Sequence, residues 1–267
     1  MPASYVKAYV RRQKNDAADA EAICEAVTRP TMRFVPIQSA GRQGVLVLHR
    51  ARELLVRQRT MLINAIRGHC AEFGLIVAQA ARRASELVEQ VRQTTTPALP
   101  EMAQSAVLML ADKLDVLAAQ IHALERRLLL WHRDDQASQR LATIPGVHII
   151  TATALSASIP DPSLFRSGRE LSAFLGLVPR QNSSGGKDRL GRISKMGDGY
   201  LRKLLVVGAT SVIRRARTSG SVSVSWIKAL LDRRPARVVT VAMANKTVRI
   251  AWAVLSRGEA YRPAAMA

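Results

Sequence analysis

The sequence predicts a mainly α-helical fold, and three observations carry that prediction. Apolar residues recur at alternating spacings of three and four over two long segments. A polar, proline-containing stretch joins those segments. Shorter apolar runs in the C-terminal half are bracketed by caps and Pro-Gly turns. The chain has 267 residues, of which 48% are hydrophobic, enough for the core of one large domain or two small ones.

The first element is a helix start at Lys14-Asn15-Asp16-Ala17-Ala18-Asp19-Ala20-Glu21-Ala22-Ile23. Asp16 and Asp19 stand three apart and share a helical face. Two carboxylates so placed can hold a divalent cation such as Mg2+, which takes one or two protein carboxylates beside phosphate oxygens. The same residues also suit helix capping and the helix dipole, and that reading stays open here.

Two long helices follow. From Gly44 to His69, Leu48, Ala51, Leu55, Leu62 and Ala65 lie on one seam, interrupted by polar Gln58. From Val107 to Trp131 the seam runs through Leu110, Leu114, Leu117, Ile121, Leu124 and Leu128 without a miss. That pattern is a coiled-coil seam. Gln93 to Pro100 lies in the connection, so the expected form is an antiparallel hairpin that also dimerises. These leucines are packing residues, not a cofactor box.

After Arg140 the texture changes. Leu141 to Val147 closes one helix at Pro145-Gly146, and Thr151 opens another. The corner resembles a helix–hairpin–helix element, whose turn offers N–H groups to a DNA phosphate. His148 stands where that motif usually has its second glycine, and an ordinary helical corner is the other reading.

Gln181 to Arg189 contains no apolar side chain, so it reads as an exposed loop. Gly185 and Gly186 let its backbone approach a ligand closely. Arg180, Lys187, Arg189, Arg192 and Lys195 surround it. A serine hydroxyl there can attack phosphorus while the cations stabilise the non-bridging oxygens; a loop that only touches phosphate is the alternative. Beyond it, Asp198 reads as the cap of a buried helix running through Val212. Arg202 and Lys203 fall in that helix's first turn, a placement that favours a docked phosphate.

Charge points the same way. The chain carries 40 basic and 20 acidic side chains, for a net charge of +20. Residues 61–179 hold 11 of each, whereas residues 180–267 hold 18 basic and 4 acidic. An anionic polymer, nucleic acid, is the expected partner, and the C-terminal third its main contact surface. With aromatics at 4%, phosphate contacts and not base stacking are expected to dominate. Cys24 and Cys70 cannot build a disulfide scaffold and fit a reducing cytosol. The N-terminus lacks a signal-peptide core, and no apolar run of about 18 residues is present, so no membrane partner is expected.

In order, these segments resemble the insertion-sequence "one-ten" family of transposases, in its "eleven-eleven" branch, related to the Piv site-specific invertases. The resemblance rests on K-N-D-A-A-D-A-E-A-I, the long coiled coil, I-P-G-V, G-L-V-P-R-Q-N-S-S-G-G-K, G-R-I-S-K-M-G-D-G-Y-L-R-K-L-L and N-K-T-V-R-I-A-W-A-V-L-S-R-G. It covers Pro2 to Arg262. It implies that residues 1–43 are the C-terminal remnant of a RuvC-like, RNase-H-type α/β catalytic domain. Residues 44–136 would be the coiled-coil hairpin and dimerisation region, and 137–267 a mostly helical C-terminal transposase domain.

The resemblance further implies that Asp16 and Asp19 are the last two acids of a D-E-D-D set holding Mg2+. Ser184 most resembles the family's nucleophile, with Ser183 as the fallback. Gly146, Gly185, Gly186, Arg202 and Lys203 join the loop cations as expected nucleic-acid contacts. The implied function is DNA cleavage and rejoining through a phosphoserine intermediate, guided by an element-encoded RNA. Dimers or tetramers would act in the bacterial cytoplasm, at the nucleoid. The family's first two acids lie upstream, and 15 residues precede Asp16, so the chain is expected to be N-terminally truncated. The rival reading is a catalytically inactive remnant that binds nucleic acid.

Overall fold

The computed structural model describes residues 3–10, 15–30, 32, 34, 37–79, 81–93, 99–187, 189–218 and 225–262. They fall into two units, 1–40 and 41–267. The first holds α1 (Ala3–Val6), a 3-10 turn at Lys7–Tyr9 and α2 (Asp16–Val27). Helix α2 starts where Asn15 turns extended and its side chain accepts the Ala18 N–H at 2.7 Å. Ala22 and Ala26, four apart, are buried. The Arg29 guanidinium lies 5.8 Å from the centre of the Tyr9 ring. Among its described residues this unit has helices and no strand.

The second unit opens with α3 (Ala40–Glu72), α4 (Ala81–Arg92) and α5 (Glu101–Asp134). Helices α3 and α5 run antiparallel. Val45, near the start of α3, clusters with Leu128 near the end of α5. Arg52 donates to Glu125 at 2.6 and 2.8 Å, and Ile66 and Cys70 meet Val107 and Ala111. On α5 the buried line is Val107, Ala111, Leu117, Ile121 and Leu128; four of these belong to the expected seam, whose Leu110, Leu114, Leu124 and Trp131 are only half-buried.

On α3 the buried positions are Val45, His49, Ile66 and Cys70. The expected Leu48, Ala51, Leu55, Leu62 and Ala65 are half-buried. The buried line lies elsewhere on the helix, and two of its four positions, His49 and Cys70, are residues that an apolar repeat does not mark. Helix α4 was not legible in the connection; its Leu87, Val88 and Val91, spaced one and three, complete the same cluster. Of the Gln93–Pro100 stretch, residues 94–98 lie outside the described residues.

The rest of the unit packs around α7 (Ile149–Ser158), whose residues from Thr151 to Ala157 are all buried. Before it, α6 (Gln136–Ala142) is capped by Asp135, which accepts the Ser138 N–H at 2.6 Å and the Ser156 hydroxyl at 2.7 Å. After it come a 3-10 turn at Pro162–Leu164, α8 (Gly168–Phe174), β1 (Pro179–Gln181) and β2 (Leu190–Ile193). Helices α9 (Gly199–Thr218), α10 (Ser225–Leu231) and α11 (Ala236–Arg257) complete the chain. Leu141, Leu155, Leu171, Leu175, Leu201, Leu205, Val239 and Val248 form one continuous core. Helix α11 has the length and apolar composition to cross a membrane, but its apolar face belongs to this core. Among the described residues the fold is mainly α, with the strand pair as the exception.

Candidate functional site

Strands β1 and β2 pair antiparallel, with Pro179 opposite Ile193, Gln181 opposite Leu190 and a bulge between. The Asn182 N–H donates to the Arg189 carbonyl at 2.8 Å, and the Lys187 N–H to the Ser184 carbonyl at 3.1 Å. Gly185 and Gly186 have φ of 57° and 73°. Two successive positive φ angles inside an i to i+3 hydrogen bond make Ser184–Lys187 a hairpin turn of type I′, which favours Gly-Gly. The expected exposed loop is therefore the tip of a β-hairpin. A Cβ at either glycine would meet nothing within 4 Å, so the tip stands in open space.

The two serines differ. The Ser183 hydroxyl accepts the Arg189 N–H at 3.2 Å and ties the loop across its width. The Ser184 side chain is exposed and hydrogen-bonds to no described residue. Arg180, Lys187, Arg189, Arg192 and Lys195 are all exposed around them. Arg180 also donates across the hairpin to the Ser194 carbonyl at 3.2 and 3.3 Å.

The hairpin's root is clamped backbone to backbone. A Cβ on Gly176 would lie 2.3 Å from the Met196 carbonyl oxygen, and one on Gly197 2.0 Å from that of Phe174. Lys195, at φ 56°, is the one non-glycine residue with positive φ among the described residues. Its N–H donates to Gly176 at 3.1 Å. Such a conformation costs of order 1–3 kcal/mol and persists only where its surroundings enforce it. Arg202 supplies part of that enforcement, donating to the Leu175 carbonyl at 2.9 Å and the Met196 carbonyl at 2.7 Å.

Arg202 therefore faces carbonyl oxygens, and the Lys203 ammonium lies 3.5 Å from Glu53. These partners satisfy the two cations that the helix dipole disfavours. Asp198 caps α9 as expected, accepting the Tyr200 and Leu201 N–H groups at 2.7 and 3.0 Å. Gly146, at φ 84°, packs on α9, where a Cβ would lie 2.8 Å from Val212 and 2.9 Å from the Gly208 carbonyl oxygen. Packing accounts for that glycine.

In the first unit, Asp16 is exposed and Asp19 half-buried in the first turn of α2. Asn15 makes the cap, so neither carboxylate is needed for it. Among the described residues no three His, Cys, Asp or Glu side chains gather in one place. The Asp16–Asp19 pair fits the part of a divalent-cation site that takes its other ligands from water or phosphate.

Sequence reasoning missed His49. Its ring is buried between α3, α7 and α9, with Nδ1 3.0 Å from the Tyr200 hydroxyl and Nε2 3.1 Å from Thr153 Oγ1. Thr153 Oγ1 also lies 2.9 Å from the Ile149 carbonyl and 3.1 Å from that of Ile150; with its proton on either, it accepts from Nε2–H while Nδ1 accepts from Tyr200. Burial, and secondarily the Arg52 charge, pull the His49 pKa from near 6.5 to about 4. The folded value lies below the unfolded one, so the unfolded chain protonates first. Stability is full above pH 6.5 and falls as pH drops toward 4, by at most about 3 kcal/mol. Urea midpoints across this window should show that loss, and His49→Gln should flatten it; superimposable profiles would refute it.

With this geometry in hand, known proteins give the context. The profile described as "Transposase IS116/IS110/IS902 family" matches residues 138–222, and a transposase profile of the DEDD IS110 type matches residues 2–73. A "Probable family 20 transposase" of Pseudomonas aeruginosa is 49% identical over 260 residues, covering 97% of this chain and 77% of that protein. The "Transposase for insertion sequence element IS1111A" of Coxiella burnetii is 40% identical over 258 residues, covering 97% and 71%. A relative from Sinorhizobium fredii is 48% identical over 259 residues, and the chain spans 66% of its length. On these matches, which run through both units and across the Ser-Gly-Gly hairpin, the chain belongs to the IS110/IS116/IS902 family of insertion-sequence transposases.

Proposed function

We propose that this chain cuts and rejoins DNA through a serine-linked intermediate formed at the β1–β2 hairpin. The observation that carries the reading is the exposed Ser184 hydroxyl, without a described partner, at the tip of a turn flanked by Arg180, Lys187, Arg189 and Arg192. Attack by Ser184 Oγ on a phosphodiester forms the Oγ–P bond and breaks the bond from phosphorus to the 3′ oxygen. The serine proton passes to solvent, and the leaving oxygen takes one up and departs as a 3′-hydroxyl. The guanidinium groups stabilise the non-bridging oxygens as charge builds on them. The reverse attack rejoins the strand and needs no ATP, because the phosphoserine link conserves the phosphodiester energy.

In this reading Asp16 and Asp19 hold a divalent cation, Mg2+, which when bound neutralises phosphate charge and polarises its oxygens. Residues 1–43 serve that purpose, 44–136 assembly, and 137–267 strand transfer. The partners are DNA, an element-encoded guide RNA and further copies of the chain, as dimer or tetramer, in the bacterial cytoplasm at the nucleoid. Self-association is supported by Leu54, Met61, Met109 and Val116, which stand exposed on α3 and α5. An apolar cleft of about 360 Å3 between those helices, lined by Ala51, Leu55 and Leu124, lies beside Leu54.

Salt tests the nucleic-acid surface. Duplex affinity should fall with a log–log slope of about −0.9 per neutralised phosphate. Replacing Arg189 and Arg192 together by alanine should flatten the slope by roughly one to two units. Fluorescence anisotropy at several salt concentrations measures it, and an unchanged slope would move the contact elsewhere.

A further inference from the structure

The segment N-K-T-V-R-I-A has no part in the chemistry above. It lies on α11, which buries Val239, Met243, Ala244, Val248 and Ala251 and turns its opposite face outward. That face carries Ala242, Lys246, Arg249 and Ala253 at spacings of three and four. Together with Trp226 of α10 they line an open cavity of about 470 Å3, within the size range of small-ligand sites.

Trp226 is 40% exposed, and the Lys246 ammonium lies 4.4 Å from the centre of its ring. Lys246 and Arg249 have no carboxylate partner among the described residues. An exposed indole and two cations without a carboxylate partner among the described residues, around one hollow, ask for a ligand with a flat π-surface and negative charge. A nucleotide has both. The small side chains of Ala242 and Ala253 leave room for a ring above the helix. A base within a duplex hides its faces against its neighbours, so only an unpaired one can enter.

We infer that this cavity binds one unstacked nucleotide of a single strand, its base on Trp226 and its adjoining phosphates on Lys246 and Arg249. The inference rests on the reading of the chain as a nucleic-acid-binding protein and adds a site separate from the hairpin. In the free protein Lys246 covers the indole; on binding it moves to the phosphate, and the base takes its place on the ring. Stacking of this kind tolerates any base sequence.

Anisotropy with the whole chain tests it, using oligothymidylate, oligouridylate, an abasic strand and a duplex, each about 15 nucleotides long. Trp226→Ala should weaken the pyrimidine strand by about fivefold or more, and Trp226→Phe should recover most of that loss. Duplex and abasic-strand affinities should not change. A larger loss on thymidylate than on uridylate assigns the strand to DNA, and the converse assigns it to RNA. Unchanged single-strand affinity in Trp226→Ala, or an equal loss on the abasic strand or duplex, would overturn the site while leaving the nucleic-acid reading intact. Absence of any binding by the unmodified chain would remove that reading and the site together.

Discussion

Ser184→Ala should abolish the covalent protein–DNA adduct that a serine nucleophile leaves behind. The assay incubates DNA, the element's RNA and Mg2+ with a version of the protein that carries a complete acidic site, then resolves adducts under denaturing conditions. Water activated by a metal would leave no adduct, so the species itself separates the two chemistries. Binding should persist, because one neutral hydroxyl contributes little beside several charged contacts. Ser183→Ala should be milder: its Oγ accepts the Arg189 N–H, a contact worth about 0.5–1.5 kcal/mol. Asp16→Asn or Asp19→Asn should reduce cleavage and keep binding, as expected for weakened metal retention. An adduct in Ser184→Ala but not in Ser183→Ala would reverse the two roles. Adduct-free cleavage by both would remove serine from the chemistry.

Gly208→Ala should destabilise the second unit by about 3 kcal/mol or more, against the sign of helix propensity. Alanine is favoured over glycine inside a helix by about 1 kcal/mol, and Gly208 lies within α9. A Cβ there, however, would sit 2.0 Å from the Gly146 carbonyl oxygen. Both groups are backbone, so the turn and the helix must separate, which exceeds the roughly 1–3 kcal/mol of ordinary overpacking. Gly44→Ala is the control. It lies on α3 with nothing within 4 Å of the added methyl and should be neutral or stabilising by up to about 1 kcal/mol. Urea unfolding measures both. Equal midpoints for Gly208→Ala and the unmodified chain would mean the close approach does not exist.

What was legible depended on whether a residue's role repeats locally. The α5 seam repeats, so Leu117, Ile121 and Leu128 were readable as inner positions, and Asp198 announced the start of α9. The β1–β2 hairpin was not, since its strands are three and four residues long and almost wholly exposed, leaving no alternation to detect. Its turn was marked by Gly185-Gly186, a signal that fixes a hairpin only when strands are recognised beside it. His49 and Cys70 hid the inner line of α3, because burial overrides what their polarity suggests. The Gly146–Gly208 contact joins distant segments through two residues with no side chains. Arg202 showed a charge in an awkward place; the two carbonyls that receive it belong to the end of α8 and the segment after β2. Resemblance supplied the family and the preference for Ser184 over Ser183; the structure adds that the Ser183 hydroxyl accepts the Arg189 N–H.

The clamped root and unencumbered tip of the hairpin divide labour in a way that bears on targeting. Gly176, Gly197 and Arg202 leave the base no slack, while the turn carrying Ser184 has no close neighbour among the described residues. Under the proposed chemistry, such a finger would not wrap its substrate or inspect it; it would offer one hydroxyl at a fixed address. The choice of which phosphate arrives there would then fall to whatever holds the strand. Retargeting would become a matter of changing that holder, while the finger stayed the same.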